Sequence, residues 1–271
     1  MRNQEITKDN QKMVAELLER VQNMGIEEYK EILNSMATFH NYSYSNQIIL
    51  HFSGASQVAG FRSWVNDHNR IVKKGAKAIW ILAPNAFMIP LEQYNGKAQM
   101  IDIVKKDGKD YAKLMSFKCV PVFDISDTEG DEIIKNMTTK SNIELDTLKK
   151  VADTLGYSVS YEALEIATGG YIAEKSIVLN SNLSESENIG TLIHELAHGE
   201  LGHTESKDFT SRSLKEQQAE TVTYIVCQMF GVDRKSEFYL KGWKLDENIN
   251  NSFSLINKAV NTISEMIEKY Q

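Results

Sequence analysis

His194 and His198 stand four residues apart, with Glu195 beside the first, in Thr191-Leu192-Ile193-His194-Glu195-Leu196-Ala197-His198. On a helix, positions i and i+4 share a face, so both imidazoles can reach one metal ion. A carboxylate next to the first ligand can take a proton from water held by that ion. The pattern predicts metal-assisted hydrolysis with Glu195 as the general base. The bland alternative is an accidental string with two exposed histidines. Three features oppose it: the motif lies in an apolar-periodic segment with a capping signal, a strand precedes it, and a later helix offers carboxylates.

Two imidazoles leave one protein ligand to find. Glu216 and Glu220, in Lys215-Glu216-Gln217-Gln218-Ala219-Glu220, stand at i and i+4 and share a helix face. Glu216 is assigned to the metal, and Glu220 to the free ring N–H of a ligand histidine; the reverse assignment stays open. A solvated acidic face fits poorly on a helix that otherwise reads Ala219, Val222, Ile225, Val226 and Met229. His203 comes five residues after His198, and Gly202 is misplaced for the metzincin turn, so His203 reads as a loop residue rather than a ligand. Two imidazoles and a carboxylate make one zinc ion the expected cofactor. The strand Ser176 to Asn180 is a candidate for pairing with an extended peptide by edge addition.

These residues need elements to position them. Residues 5–35 read as helix, as does Tyr42 to Phe52, which Gly54 ends. From Phe61 to Val122 the pattern is strand-like. The run Ala78 to Ala83 is closed by Pro84, and Ala98 to Val104 with Tyr111 to Val122 flank the hairpin turn Lys106-Asp107-Gly108-Lys109. Residues 126–140 read as a linker between a domain over 1–125 and one over 141–271. In the second domain, Ile143 to Leu155 predicts a helix stopped by Gly156, and Tyr157 to Tyr161 and Ser176 to Asn180 predict strands. Ser184 and Glu187 form a capping box ahead of the histidine helix. Lys215 to Phe230, Glu237 to Trp243 and Leu255 to Tyr270 predict further helices.

The chain has 271 residues, 42% hydrophobic and 25% charged, as a soluble globular protein would. No apolar run is long enough for a membrane span and the N-terminus lacks an apolar signal region, so a cytoplasmic protein with no membrane partner is expected. Cys119 and Cys227 are expected to be reduced. The net charge of -7 divides into +3 over residues 1–125 and -10 over 126–271. Tyr42, Tyr44, Phe61, Trp64 and Trp80 lie among Arg62, Arg70, Lys73, Lys74 and Lys77. Aromatic faces beside cations suit single-stranded nucleic acid, although aromatics also fill cores and lysines line solvated faces.

Three stretches resemble the N-terminal domain of ArdC-type antirestriction proteins: Tyr42-Ser43-Tyr44-Ser45-Asn46-Gln47-Ile48-Ile49-Leu50-His51, Val58 to Trp64, and Val72 to Pro84, with Pro121-Val122-Phe123-Asp124 at the domain's end. The second half resembles the zincin-like metallopeptidase domain of the same proteins, akin to the ImmA/IrrE family. It does so at His194 to His198, at Glu216 to Glu220, and loosely at Tyr239-Leu240-Lys241-Gly242-Trp243. The resemblance implies an α+β protein of two domains: an α+β single-stranded-DNA-binding domain and a mainly helical zincin-like domain with a small antiparallel sheet. It implies antirestriction on a mobile genetic element, with His194, His198 and Glu216 as ligands and Glu195 as base. Tyr42, Tyr44, Asn46, Arg62, Trp64, Arg70, Lys73, Lys74 and Lys77 are the DNA-binding candidates. Two other readings stand beside it: a non-catalytic DNA- or protein-binding factor with a structural metal, and a regulatory protease that cuts a repressor.

Overall fold

Alternating, β-branched and aromatic residues in the first half pair into a long antiparallel sheet. The computed structural model describes residues 12, 13, 15–17, 19–21, 25–96, 99–133, 143–204, 210–232 and 249–271. The start of the expected first helix, most of the expected linker, the expected helix 237–243 and the match at 239–243 lie outside the described residues. Contacts divide the chain into two units: Met1–Leu17 with Phe52–Ile133, and Leu18–His51 with Ile134–Gln271.

In the first unit, β3 (Ile79–Pro90) and β4 (Gln99–Lys106) flank β5 (Lys109–Asp124), all antiparallel. The β4–β5 turn is the expected hairpin: Lys106 faces Lys109, and Asp107 and Gly108 both take positive φ, 52° and 73°. Such a pair of left-handed residues matches the twist of the strands it joins. Pro84, expected to close its strand, instead lies within β3 opposite Phe117. Among the described residues β3 pairs only with β5, so it is an edge strand, where a residue without an N–H is tolerated. β1 (Val58–Ala59) pairs with the far end of β5, and β2 (Arg70–Val72) pairs with β6 (Thr128–Gly130). A short helix, α3 (Phe61–Asn66), carries Trp64 into this core.

The second unit is mainly helical and takes its first two helices from early in the chain. α1 (Ile26–Thr38) buries Tyr29, Ile32, Leu33 and Met36, an i, i+3, i+4, i+7 stripe. The Tyr29 hydroxyl lies 3.1 Å from Thr221 Oγ1, and the Tyr224 hydroxyl donates to Asn34 Oδ1 at 2.9 Å. α2 (Tyr44–Phe52) stacks Tyr44 on Phe253 with ring centroids 4.4 Å apart, and Gln47 Nε2 donates to Asn257 Oδ1 at 2.9 Å. One boundary between the units, Ile133 to Ile134, falls within residues 126–140, and residues 18–51 also join the second unit. An apolar helical stripe shows that a helix is buried, not against which partner.

The rest of this unit is α4 (Leu145–Thr154), β7 (Ser158–Glu162), β8 (Gly170–Ala173), β9 (Ser176–Asn180), α5 (Glu185–Glu200), α6 (Arg212–Phe230) and α7 (Phe253–Tyr270). Its sheet has the order β7-β9-β8, with β7 parallel and β8 antiparallel to β9. β9, expected to offer an edge to a peptide, is thus the central strand with both sides paired. The edges among the described strands are β7 and β8, and β8 also contacts α5. Gly169 and Gly170 let β8 approach α5 closely: a Cβ on Gly170 would lie 2.5 Å from the Val178 carbonyl oxygen and 2.9 Å from Thr191 Cγ2.

Candidate metal centre

α5 begins at the expected capping box. Ser184 N donates to Glu187 Oε2 at 3.0 Å, and Glu187 N donates to Ser184 Oγ at 3.3 Å. Leu192, Ile193, Leu196 and Ala197 are buried, which fixes the rotation of the helix and turns His194 and His198 to one side. Gly199 carries no Cβ where one would meet the Tyr157 ring 2.6 Å from Cζ, so that ring packs against the end of α5.

α6 starts at Ser211, whose side chain accepts from Leu214 N, and ends at Gly231 in a left-handed conformation, φ 65°. It is buried on every side from Gln217 to Cys227, as a central helix would be. This helix carries Glu216 and Glu220 to α5.

The structure brings His194, His198 and Glu216 together, with one donor atom of each within 4.8 Å of the others. The two Nε2 atoms are 3.1 Å apart. Glu216 Oε2 lies 3.5 Å from His194 Nε2 and 3.7 Å from His198 Nε2. Glu220 stands on the opposite side of the His194 ring, with Oε2 3.2 Å from Nδ1, at ion-pair distance but without hydrogen-bond alignment. Glu195 is buried beside the pair, 7% exposed.

Burial alone would lower the His194 pKa, but the carboxylates of Glu216 and Glu220 outweigh it and raise it to about 9. Glu216 is held well below the usual carboxylate range, by His194 first and His198 next. These two shifts are the two sides of one interaction. A site that attracts protons so strongly without metal has the negative potential that a divalent cation would meet.

His203 sits behind His198: the two Nδ1 atoms are 2.8 Å apart. Its Nε2 lies 2.7 Å from Gln218 Oε1, and Gln218 Nε2 donates to Ser252 Oγ at 2.5 Å. Sequence reasoning treated His203 as a loop residue and missed Gln218 and Ser252. Gln218 differs from Glu216 and Glu220 by half a turn, and Ser252 follows 34 residues later, so spacing alone does not join them.

A cleft of about 680 Å³ opens over the centre, walled by β8, by α5 and by the first turns of α6, where Arg212 and Lys215 face it. Residues of one unit alone line it.

Residues 148–238 match the Peptidase_M78 family, the IrrE N-terminal-like domain. The Mn(II)-bound ArdC antirestriction protein from the R388 plasmid superimposes with a TM-score of 0.51 at 15% identity, over 94% of this chain and 99% of that one. The chain has the ArdC fold. The metal-free ArdC structure gives a TM-score of 0.48 at 16% identity, over 85% of this chain and 86% of its own. An uncharacterized protein of Bacillus anthracis, pXO2-81, is 26% identical over 292 residues, 90% of this chain and 49% of the relative. The chain thus spans about half the length of that relative. Within the ArdC fold here, the histidines and Glu216 lie inside the segment matched by the IrrE-type domain, whereas α1 and α2 lie outside it.

The candidate DNA residues divide. Tyr42, Tyr44 and Asn46 belong to the second unit. Tyr44 has one ring face stacked on Phe253, and Asn46 is buried. Tyr42 is half-buried, edge-on to Phe39. Trp64 is buried in the first unit, with its Nε1 donating to the Phe123 carbonyl at 2.9 Å. Arg70 is tied to β6 through Thr128 Oγ1 at 2.7 Å and the carbonyls of Thr128, Gly130 and Asp131. Arg62, Lys73, Lys74 and Lys77 are exposed, with Lys73 Nζ also donating to the Ser126 carbonyl. Phe61 is the exposed aromatic near them in sequence. No helix among the described residues is long and apolar enough to cross a membrane.

Proposed function

We propose that this protein is a divalent-metal-dependent peptidase of the zincin type joined to a single-stranded-DNA-binding unit, acting in antirestriction. The observation that carries the proposal is the convergence of His194 Nε2, His198 Nε2 and Glu216 Oε2, with Glu195 next to the first ligand. Two imidazoles and a carboxylate suit zinc, and also accept manganese; ArdC from R388 has an Mn(II)-bound structure. An ion held there supplies a Lewis acid that polarises a carbonyl and acidifies water.

This chain's own groups do the rest. The edge of β8 pairs with an extended peptide and presents its carbonyl to the cleft. Glu195 takes the proton from the attacking water and delivers it to the leaving amine. Glu220 holds the His194 ring so that Nε2 faces the centre. On the first unit, Arg62, Lys73, Lys74 and Lys77 contact phosphates and Phe61 stacks on a base. The likeness to an antirestriction protein supports the antirestriction reading, and the Peptidase_M78 match supports a peptide substrate.

The test is Glu195→Gln in the full chain. Zn(II) binding is expected to stay within a few-fold of wild type by titration calorimetry, while cleavage of an unstructured protein substrate is lost. Unchanged cleavage would overturn the role of Glu195. Binding of a fluorescent single-stranded oligonucleotide, falling steeply with salt, tests the DNA unit; no binding at low salt would remove it.

A further inference from the structure

We infer that His203 is a positioning residue for the metal centre, its Nδ1 accepting the Nδ1–H of His198 in a direction fixed by Gln218 and Ser252. The inference rests on the metal reading above.

The direction follows from what each group can donate. Gln218 has one acceptor oxygen and one donor NH₂. Its Nε2 donates to Ser252 Oγ at 2.5 Å, so its Oε1 is the atom turned to His203, 2.7 Å from Nε2. A carbonyl oxygen only accepts, so His203 Nε2 carries the hydrogen. A neutral imidazole with hydrogen on Nε2 has a bare Nδ1. That bare nitrogen is 2.8 Å from His198 Nδ1, which must therefore be the one bearing hydrogen. The Nε2 lone pair of His198 is left for a cation beside His194 and Glu216.

The array is built, not incidental. Gln218 and Ser252 are 5% and 8% exposed, so water does not compete for their bonds. His203 is pinned by its backbone N–H to the His198 carbonyl at 3.0 Å, and its own carbonyl accepts from Lys215 Nζ at 3.1 Å. His194 and His198 are thus oriented by different means, a carboxylate behind one and a neutral imidazole behind the other. Groups that orient metal ligands in this way are typically worth about 10–100-fold in metal affinity.

Two measurements test it. Long-range ¹H–¹⁵N correlation spectra of the metal-free, ¹⁵N-labelled full chain should show His203 protonated at Nε2 and His198 at Nδ1. The opposite tautomers, which a reversed Gln218 amide would impose, overturn the inference. In titration calorimetry with Zn(II), His203→Ala should bind roughly 10–100-fold more weakly than wild type. His203→Asn, whose Oδ1 replaces the acceptor, should recover most of that loss. Wild-type affinity in His203→Ala, or equal weakness of both variants, overturns the positioning role. Failure of wild type itself to bind Zn(II) overturns the metal reading instead; the tautomer spectrum is read without metal and is decided separately.

Discussion

Glu220 Oε2 approaches His194 Nδ1 to 3.2 Å while being 2% exposed, so a carboxylate deep in α6 stands directly behind a candidate ligand. Its burial gives the contact a low-dielectric setting, where a charge is expensive unless it meets a partner. Glu216, one turn earlier and 47% exposed, reaches the same ring from the open side. The two carboxylates therefore meet one ring at different depths.

Glu220→Gln should weaken Zn(II) binding by about 10–100-fold, since it removes the charge that orients His194 without removing a donor atom from the centre. Glu216→Ala should weaken it further. Titration calorimetry on both variants orders them, and a larger loss in Glu220→Gln would reverse their roles.

The metal-free protein should show a pH-dependent stability traceable to His194. Its folded pKa of about 9 lies above the ordinary 6.5, so its contribution is complete below about 6.5 and is lost as pH rises through about 9. Glu216 is depressed below its ordinary 4.5, so its contribution is present above about 4.5 and is lost as pH falls towards its folded value. Tm measured by calorimetry should therefore fall on the alkaline side, and His194→Ala should flatten that fall. Zn(II) affinity should rise over the same interval, because the ion displaces the proton from His194.

Tyr29→Ala should destabilise the second unit, by about 3–5 kcal/mol, as for other large aromatic truncations in cores. Tyr29 is 1% exposed, packed near Phe253 and bonded to Thr221. A fragment of residues 141–271, matching the expected domain boundary, should lack a cooperative unfolding transition because it lacks α1 and α2. A cooperative melt of that fragment at the full-length Tm would refute this account of the core.

Gly170→Ala should separate β8 from β9 and α5, costing about 1–3 kcal/mol. The new methyl would meet the Val178 carbonyl oxygen at 2.5 Å, and a backbone atom in a paired strand cannot swing away. Because β8 is the proposed peptide edge, KM for a peptide substrate should rise along with the loss in Tm. An unaltered Tm would show that the strand yields freely.

What was legible in the sequence was whatever local spacing determines. The capping box at Ser184, the shared face of His194 and His198, the pairing of Lys106 with Lys109 and the stop at Gly156 are set by residues within a few positions of each other. The convergence of α5 and α6 could be suggested because both helices carry metal-ligand residue types on one face. The relay from His198 through His203 and Gln218 to Ser252 could not, because its members share no periodicity. Tyr44 and Trp64 show the same limit: an aromatic residue looks alike in sequence whether it stacks on a base or on Phe253. Pro84 misled because its tolerance depends on which strand edge is unpaired, a property of the sheet and not of the strand.

Tyr29 and Thr221, in contact in the folded unit, are 192 positions apart in the chain. On a ribosome, α1 and α2 emerge long before the helices whose core they complete, and residues 52–133 of the first unit are made in between. The second unit therefore completes its core only once α7 has been synthesised, since Phe253 is the partner of both Tyr29 and Tyr44. A nascent chain that lacks α7 would carry the H-E-x-x-H helix without the finished core that aims it.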